Sequence, residues 1–169
     1  MLNEYFELMV DIIFRYEGTL DKFVGDEIIA LFGAPVPMQN AELKAVQCAL
    51  DMMRVLSEFN NTRVAEGQNE IKIGIGINTG MVVTGAIGSS RALQYTAIGD
   101  AMNTTARLCS AAQPGQIILS DATFRKVATE ISAIPLPPMR VKGKADELRV
   151  YNAVGLRNKN YRGEATRPA

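Results

Sequence analysis

Apolar positions mark out the elements of this chain before anything else does. Leu2, Tyr5, Phe6, Met9, Ile12, Ile13 and Tyr16 recur at helical spacing, so residues 2 to 17 read as an amphipathic helix that Gly18 closes. Leu20 to Val24 and Glu27 to Phe32 are strand-like runs on either side of Gly25-Asp26, a spacing that predicts a tight hairpin with Asp26 at its tip. Pro35 and Pro37 mark a loop. Asn40 is placed to cap a long helix with Leu43, Val46, Leu50, Met53 and Leu56 on its apolar face and an end near Gly67. Ile71, Ile73, Ile75 and Ile77 then alternate with Lys72, Gly74, Gly76 and Asn78, a strand with one bulky face and one nearly bare face that backbone or ligand can approach.

Val82 to Ile87 and Leu93 to Ile98 read as further strands joined through the turn-prone Gly88-Ser89-Ser90. A helix follows from about Ala101 to Ala112, stopped by Pro114-Gly115, and then a short strand, Ile117 to Leu119. Ser120 suits the cap of a short helix to about Ala128, Pro135, Pro137 and Pro138 suggest a loop, and Glu147 to Val154 is a final strand. This order predicts an α+β sandwich, helices against a mainly antiparallel sheet, in one domain over residues 1–155. Residues 156–169 lack apolar periodicity and read as a mobile tail.

Composition narrows the chemistry. The 169 residues are 47% hydrophobic, enough for one sizeable core, and 18 basic residues balance 18 acidic ones, so no global field favours nucleic acid or an anionic membrane. The two cysteines, Cys48 and Cys109, give no disulfide framework, which makes a cytoplasmic setting the default expectation. No apolar run approaches the roughly 20 residues that span a bilayer, although a membrane-anchored or regulated parent protein is compatible with the sequence. Histidine is absent, so imidazole bases and Ser-His triads within the chain are excluded. Carboxylates, amines, hydroxyls and bound metal remain.

Three segments carry candidate chemistry. Asp21-Lys22-Phe23-Val24-Gly25-Asp26-Glu27 puts a lysine and a carboxylate on a hairpin, though in isolation a turn aspartate and a solvated lysine explain it better. Tyr95-Thr96-Ala97-Ile98-Gly99-Asp100 leads from a strand into a helix with Asn103 and Arg107 four apart on one face, where an amide and a guanidinium can meet phosphate and ribose oxygens or simply water. Val141-Lys142-Gly143-Lys144 sets a lysine beside glycine, as a phosphate contact or a plain basic loop.

Taken together these segments resemble the catalytic domain of class III nucleotide cyclases, in family order and at family-like separations along nearly the whole chain. The resemblance implies that Asp26 is one of two carboxylates holding two divalent ions, Mg²⁺ or Mn²⁺. It implies that Lys22 and Thr96 read the base, Asn103 orients the ribose, Arg107 stabilises charge on the transferring phosphorus and Lys142 holds the terminal phosphates. Each site would combine Asp26 of one protomer with the other five residues of its partner, so a homodimer is expected. Lysine as a pure donor suits adenine N1 and a threonine hydroxyl can accept from the adenine amine, so ATP is favoured over GTP. The threonine points to the bacterial-type branch.

The resemblance also implies a further metal aspartate on a central strand upstream of Asp26, which this sequence lacks. The expectation is therefore an α+β, ferredoxin-like cyclase sandwich with its first strand absent, folded but weakly active or inactive. The other readings are a non-catalytic cyclase-like dimerisation or nucleotide-binding module, and a guanylate or diguanylate cyclase. Val24-Gly25-Asp26-Glu27 resembles the diguanylate cyclase hairpin, but Ile28 stands where that family has phenylalanine. A dinucleotide fold is weaker still, because Gly74, Gly76 and Gly80 lie in a strand pattern with no helix directly after them.

Overall fold

A computed structural model describes residues 2–140 and 146–157. Helix α1, Leu2–Arg15, buries Met9, Ile12 and Ile13 to 2% exposure or less, each worth about 1.5–3 kcal/mol of apolar burial. These side chains join Cys48 and Leu56 in a core that also packs the hairpin side chains Ile28 and Ala30. The left-handed residue after the helix is Glu17, φ 61°, rather than Gly18. Gly18 is required for space instead, since a Cβ there would stand 2.8 Å from both Ile13 and Phe32.

The expected hairpin forms from β1, Thr19–Val24, and β2, Glu27–Leu31, with Gly25 at φ 63° in its turn. Strand β1 carries a bulge between Leu20 and Lys22, leaving Asp21 as the extra residue. Helix α2, Ala41–Ala65, runs beneath two cores, with Val46 and Ala49 in one and Cys48 and Leu56 in the other. Asn40 does precede it, but in a left-handed conformation whose side chain makes no capping hydrogen bond. That expectation is corrected.

Only the end of the alternating isoleucine run becomes paired strand, β3, Ile75–Ile77. Ile71 and Ile73 pack onto the α1–α2 core while their backbone has no ladder partner among the described residues. Strands β4, Val83–Ser89, and β5, Ala92–Ile98, form a separate ribbon. Its connection is Ser90-Arg91, so Gly88 and Ser89, expected in the turn, belong to the strand. Helix α3, Asp100–Ala111, strand β6, Ile117–Ser120, and helix α4, Asp121–Val127, follow closely as the sequence suggests. Ser120 caps α4 by accepting from the Thr123 N–H at 3.3 Å.

The proline-rich stretch is no loop: Ile131–Met139 is strand β7, paired with β8, Leu148–Leu156. The sheet order β3-β6-β8-β7 explains why. β7 lies at the edge, where missing N–H donors cost nothing on the open side, and its register shifts between Leu136 and Met139 across Pro137 and Pro138. β8 extends to Leu156, beyond the expected end at Val154.

The result is the expected α+β sandwich, antiparallel except for β3 with β6. A cavity of about 400 Å³ separates the hairpin from the larger sheet, lined by Ile28, Ala30 and Phe32 on one side and Ile75, Ile77 and Asn78 on the other. Among the described residues no strand pairs with the second edge of β2 or of β3. No helix there is long and apolar enough to cross a membrane.

Candidate active site

Three elements carry the candidate residues that the structure describes besides Asp26. β1 brings Lys22, β5 brings Thr96, and Gly99 turns the chain from β5 into α3, which carries Asn103 and Arg107. Gly99 adopts φ 145°, a conformation that disfavours side chains, and its carbonyl accepts from the Met102 N–H at 3.1 Å in the first turn of the helix. Asn103 is exposed and Arg107 half-buried, one turn apart, while Thr104 and Leu108 face the interior.

The bare face of β3 sets the position of that helix. A Cβ on Gly76 would stand 2.4 Å from the Cys109 backbone nitrogen, and one on Gly74 2.7 Å from the Ala112 carbonyl oxygen. The glycines are therefore occupied by helix backbone, not by a ligand, which removes the basis for a dinucleotide site there.

Lys22 and Thr96, separated by 74 positions, meet directly: the ammonium donates to the Thr96 hydroxyl at 2.6 Å. The hydroxyl in turn donates to Asp21 Oδ2 at 3.0 Å, and Asp21 Oδ1 accepts from the Ala97 N–H at 3.1 Å. Asp21 is almost wholly buried, its side chain 2% exposed, whereas Lys22 keeps 27% exposure. Gly85 pairs opposite Thr96 on the same face of the ribbon, and a side chain there would meet nothing within 4 Å. Thr96 itself is buried, at 6% exposure. Sequence reasoning assigned Asp21 no role, although the adjacent charges Asp21 and Lys22, breaking the alternation of a strand, were a usable signal.

Asp26 sits exposed at the hairpin tip. Burial, followed by the Asp26 charge, raises the Tyr5 hydroxyl above its ordinary value, so the carboxylate lies near α1. Glu27 lies beside α3: the Cys109 thiol is pushed up to about 11, first by burial and then by Glu27. Among the described residues no three His, Cys, Asp or Glu side chains are grouped to hold a metal ion. Lys142 lies outside the described residues.

The family model for the adenylate and guanylate cyclase catalytic domain matches residues 1–154. Adenylate cyclase 1 from Rhizobium meliloti is 33% identical over 158 residues, which cover 92% of this chain and 24% of that protein. The chain spans roughly a quarter of the length of the curated relatives it matches. Among solved structures, the guanylyl cyclase Cya2 is 36% identical with a TM-score of 0.87, over 95% of this chain and 81% of that one. The adenylyl cyclase CyaB from P. aeruginosa is 31% identical with a TM-score of 0.86, over 92% and 81%.

Proposed function

The chain belongs to the adenylate and guanylate cyclase catalytic-domain family, and from that premise we propose that it is an adenylate cyclase domain, forming 3′,5′-cyclic AMP and pyrophosphate from ATP in a homodimer. The class, a nucleotide cyclase domain with lyase chemistry, follows from the family; the choice of ATP is our reading. One observation carries it: the paired Lys22 ammonium and Thr96 hydroxyl, which offer a donor and an acceptor side by side. Adenine presents the complement, an N1 acceptor beside an N–H donor, whereas guanine presents N–H and carbonyl in the reverse order. A guanine reader would need an acceptor where Lys22 stands.

In the reaction the ribose 3′ oxygen attacks the α-phosphorus and pyrophosphate departs, so catalysis consists chiefly of positioning and of neutralising charge on phosphate oxygens. Asn103, exposed on α3, is assigned to the ribose, and Arg107, one turn further, to the charge growing on the phosphorus. Neither side chain has a hydrogen-bond or ion-pair partner among the described residues, leaving both available to substrate. Lys142 is assigned to the terminal phosphates.

Cyclases of this class depend on divalent metal. Hard cations such as Mg²⁺ or Mn²⁺ are often held by one or two carboxylates plus substrate phosphate, and exposed Asp26, beside open space at Gly25, fits that donor set. The metal supplies positive charge and a more acidic attacking hydroxyl. Glu27 adjoins Asp26 in sequence but turns toward Cys109 on α3, so the second carboxylate that the family resemblance implies is assigned to a further strand. We therefore assign full activity to a protein in which a further strand fills the cavity between β2 and β3, and weak or no turnover to this chain alone. The exposed apolar side chains Val83, Leu93 and Tyr95 of the β4–β5 ribbon support pairing with a second copy.

The test compares kcat/KM for ATP and GTP with Mg²⁺ or Mn²⁺, in this chain and in a longer active protein containing it. ATP should be preferred. A preference for GTP would overturn the base assignment, and nucleotide binding without turnover in the longer protein would leave a non-catalytic binding module.

A further inference from the structure

Consecutive side chains of a regular strand point to opposite faces, so Asp21 and Lys22 should not reach the same atom. Here both do. Lys22 Nζ lies 2.6 Å and Asp21 Oδ2 3.0 Å from the Thr96 hydroxyl oxygen, because the bulge in β1 falls at Asp21 and re-aims it. The buried carboxylate is anchored a second time through the Ala97 N–H.

Proton accounting fixes what the hydroxyl can do. An ammonium has donors only, and a carboxylate beside it has acceptors only. The single Thr96 proton therefore goes to Asp21, and the oxygen keeps its lone pairs for accepting, one of them from Lys22. A hydroxyl free to rotate could donate to a carbonyl as easily as accept from an amine. This one is held as an acceptor.

We infer that Asp21 is a positioning residue for base selection, which locks the Thr96 hydroxyl as an acceptor and so makes it select the exocyclic amine of adenine over the carbonyl of guanine. This rests on the adenylate cyclase reading above and adds to it the group that gives threonine its discrimination. Asp21 is a positioning residue, acting through Thr96 and, by the 3.5 Å approach of its Oδ2 to Lys22 Nζ, on the setting of that ammonium as well.

Asp21→Asn tests the idea with minimal change of shape. The amide oxygen can still accept from the Ala97 N–H, but the amide nitrogen now donates to Thr96. Since Lys22 cannot accept, the hydroxyl proton must turn outward, where it suits a carbonyl. In the active protein containing this chain, Asp21→Asn should lower the ratio of kcat/KM for ATP to that for GTP by about tenfold or more, the equivalent of one hydrogen bond. The ratio is the decisive readout, because a merely structural defect lowers both substrates together. An unchanged ratio in a folded Asp21→Asn protein overturns the proposal while leaving the adenylate cyclase reading standing. Absence of ATP preference in the unmodified protein removes that reading and this inference with it. Should Asp21→Asn fail to fold, Thr96→Ser decides: with Asp21 in place the serine hydroxyl should keep the ATP preference, and its loss would show that the threonine methyl sets the orientation and overturn the proposal.

Discussion

Substituting Gly76 by alanine should unseat the helix that carries Asn103 and Arg107 without touching either residue. The added Cβ would lie 2.4 Å from the Cys109 backbone nitrogen and 2.8 Å from both the Leu108 carbonyl carbon and its Cβ. Two of these three atoms are backbone, so no rotamer change relieves them, and reaching an ordinary contact of about 3.5 Å requires β3 and α3 to separate by roughly 1 Å. Overpacking of this kind costs about 1–3 kcal/mol, and for a domain of this size each kcal/mol lowers Tm by about 2–4 °C. A drop of about 2–12 °C in thermal unfolding followed by circular dichroism is therefore expected. Gly155→Ala is the control, since a Cβ there meets nothing within 4 Å and its melting should stay within about a degree of the parent chain. In an active protein the same displacement should cut turnover by up to about 10²-fold, because a 1 Å misplacement of catalytic groups is costly. Melting of Gly76→Ala indistinguishable from that of Gly155→Ala would show that β3 and α3 do not approach this closely, and the placement of Arg107 would lose its support.

Arg107→Ala should reduce kcat by about 10²-fold or more with a smaller change in KM, since its charge is of use mainly as the phosphorus gains negative charge; steady-state kinetics that leave kcat intact would remove Arg107 from the mechanism. Mixing an Asp26→Ala protein with an Arg107→Ala protein, each inactive alone, should restore part of the activity, because one site in a mixed dimer would be whole, and no recovery would argue against shared sites. Burial pushes the Cys48 thiol up to about 12, with Asp51 adding to it, and burial with Glu27 pushes Cys109 to about 11, both from an ordinary 9.0. The folded state holds these protons more tightly than the unfolded one, so their contribution to stability is complete below about pH 9 and is lost as pH rises through about 11 for Cys109 and about 12 for Cys48. Urea midpoints should fall over that window and fall less in a Cys48→Ala, Cys109→Ala double variant; equal slopes would mean that the thiols do not report this burial.

What the sequence disclosed and what it withheld divide along a physical line. Elements that rest on near neighbours were readable: the 3.6-residue period of α1, the glycine at the hairpin turn and the Ser120 cap all act within a few positions of themselves. Features decided by a distant partner were not. Pro135, Pro137 and Pro138 look like a loop until β8 leaves β7 on the edge of the sheet, where proline is tolerated. Ile71 and Ile73 have a strand pattern, but the Asn60 side chain takes both the N–H and the carbonyl of Ile71, and Ile73 bonds only the N–H of Gly115, in the turn before β6, so among the described residues no ladder forms there. The candidate site divides in the same way. Arg107 could be placed beside Asn103 because helical spacing does that locally, whereas the burial of Asp21 against Thr96, 75 positions away, needs both the bulge in β1 and the docking of β1 on β5. A bulge is a property of register between two strands, and no stretch of one strand encodes it alone. Residues that act on substrate can thus be listed from a motif, while the residue that orients them emerges only once the strands are paired. For this chain that makes Asp21, rather than Lys22 or Thr96, the position at which exchange between related proteins would most inform on base choice.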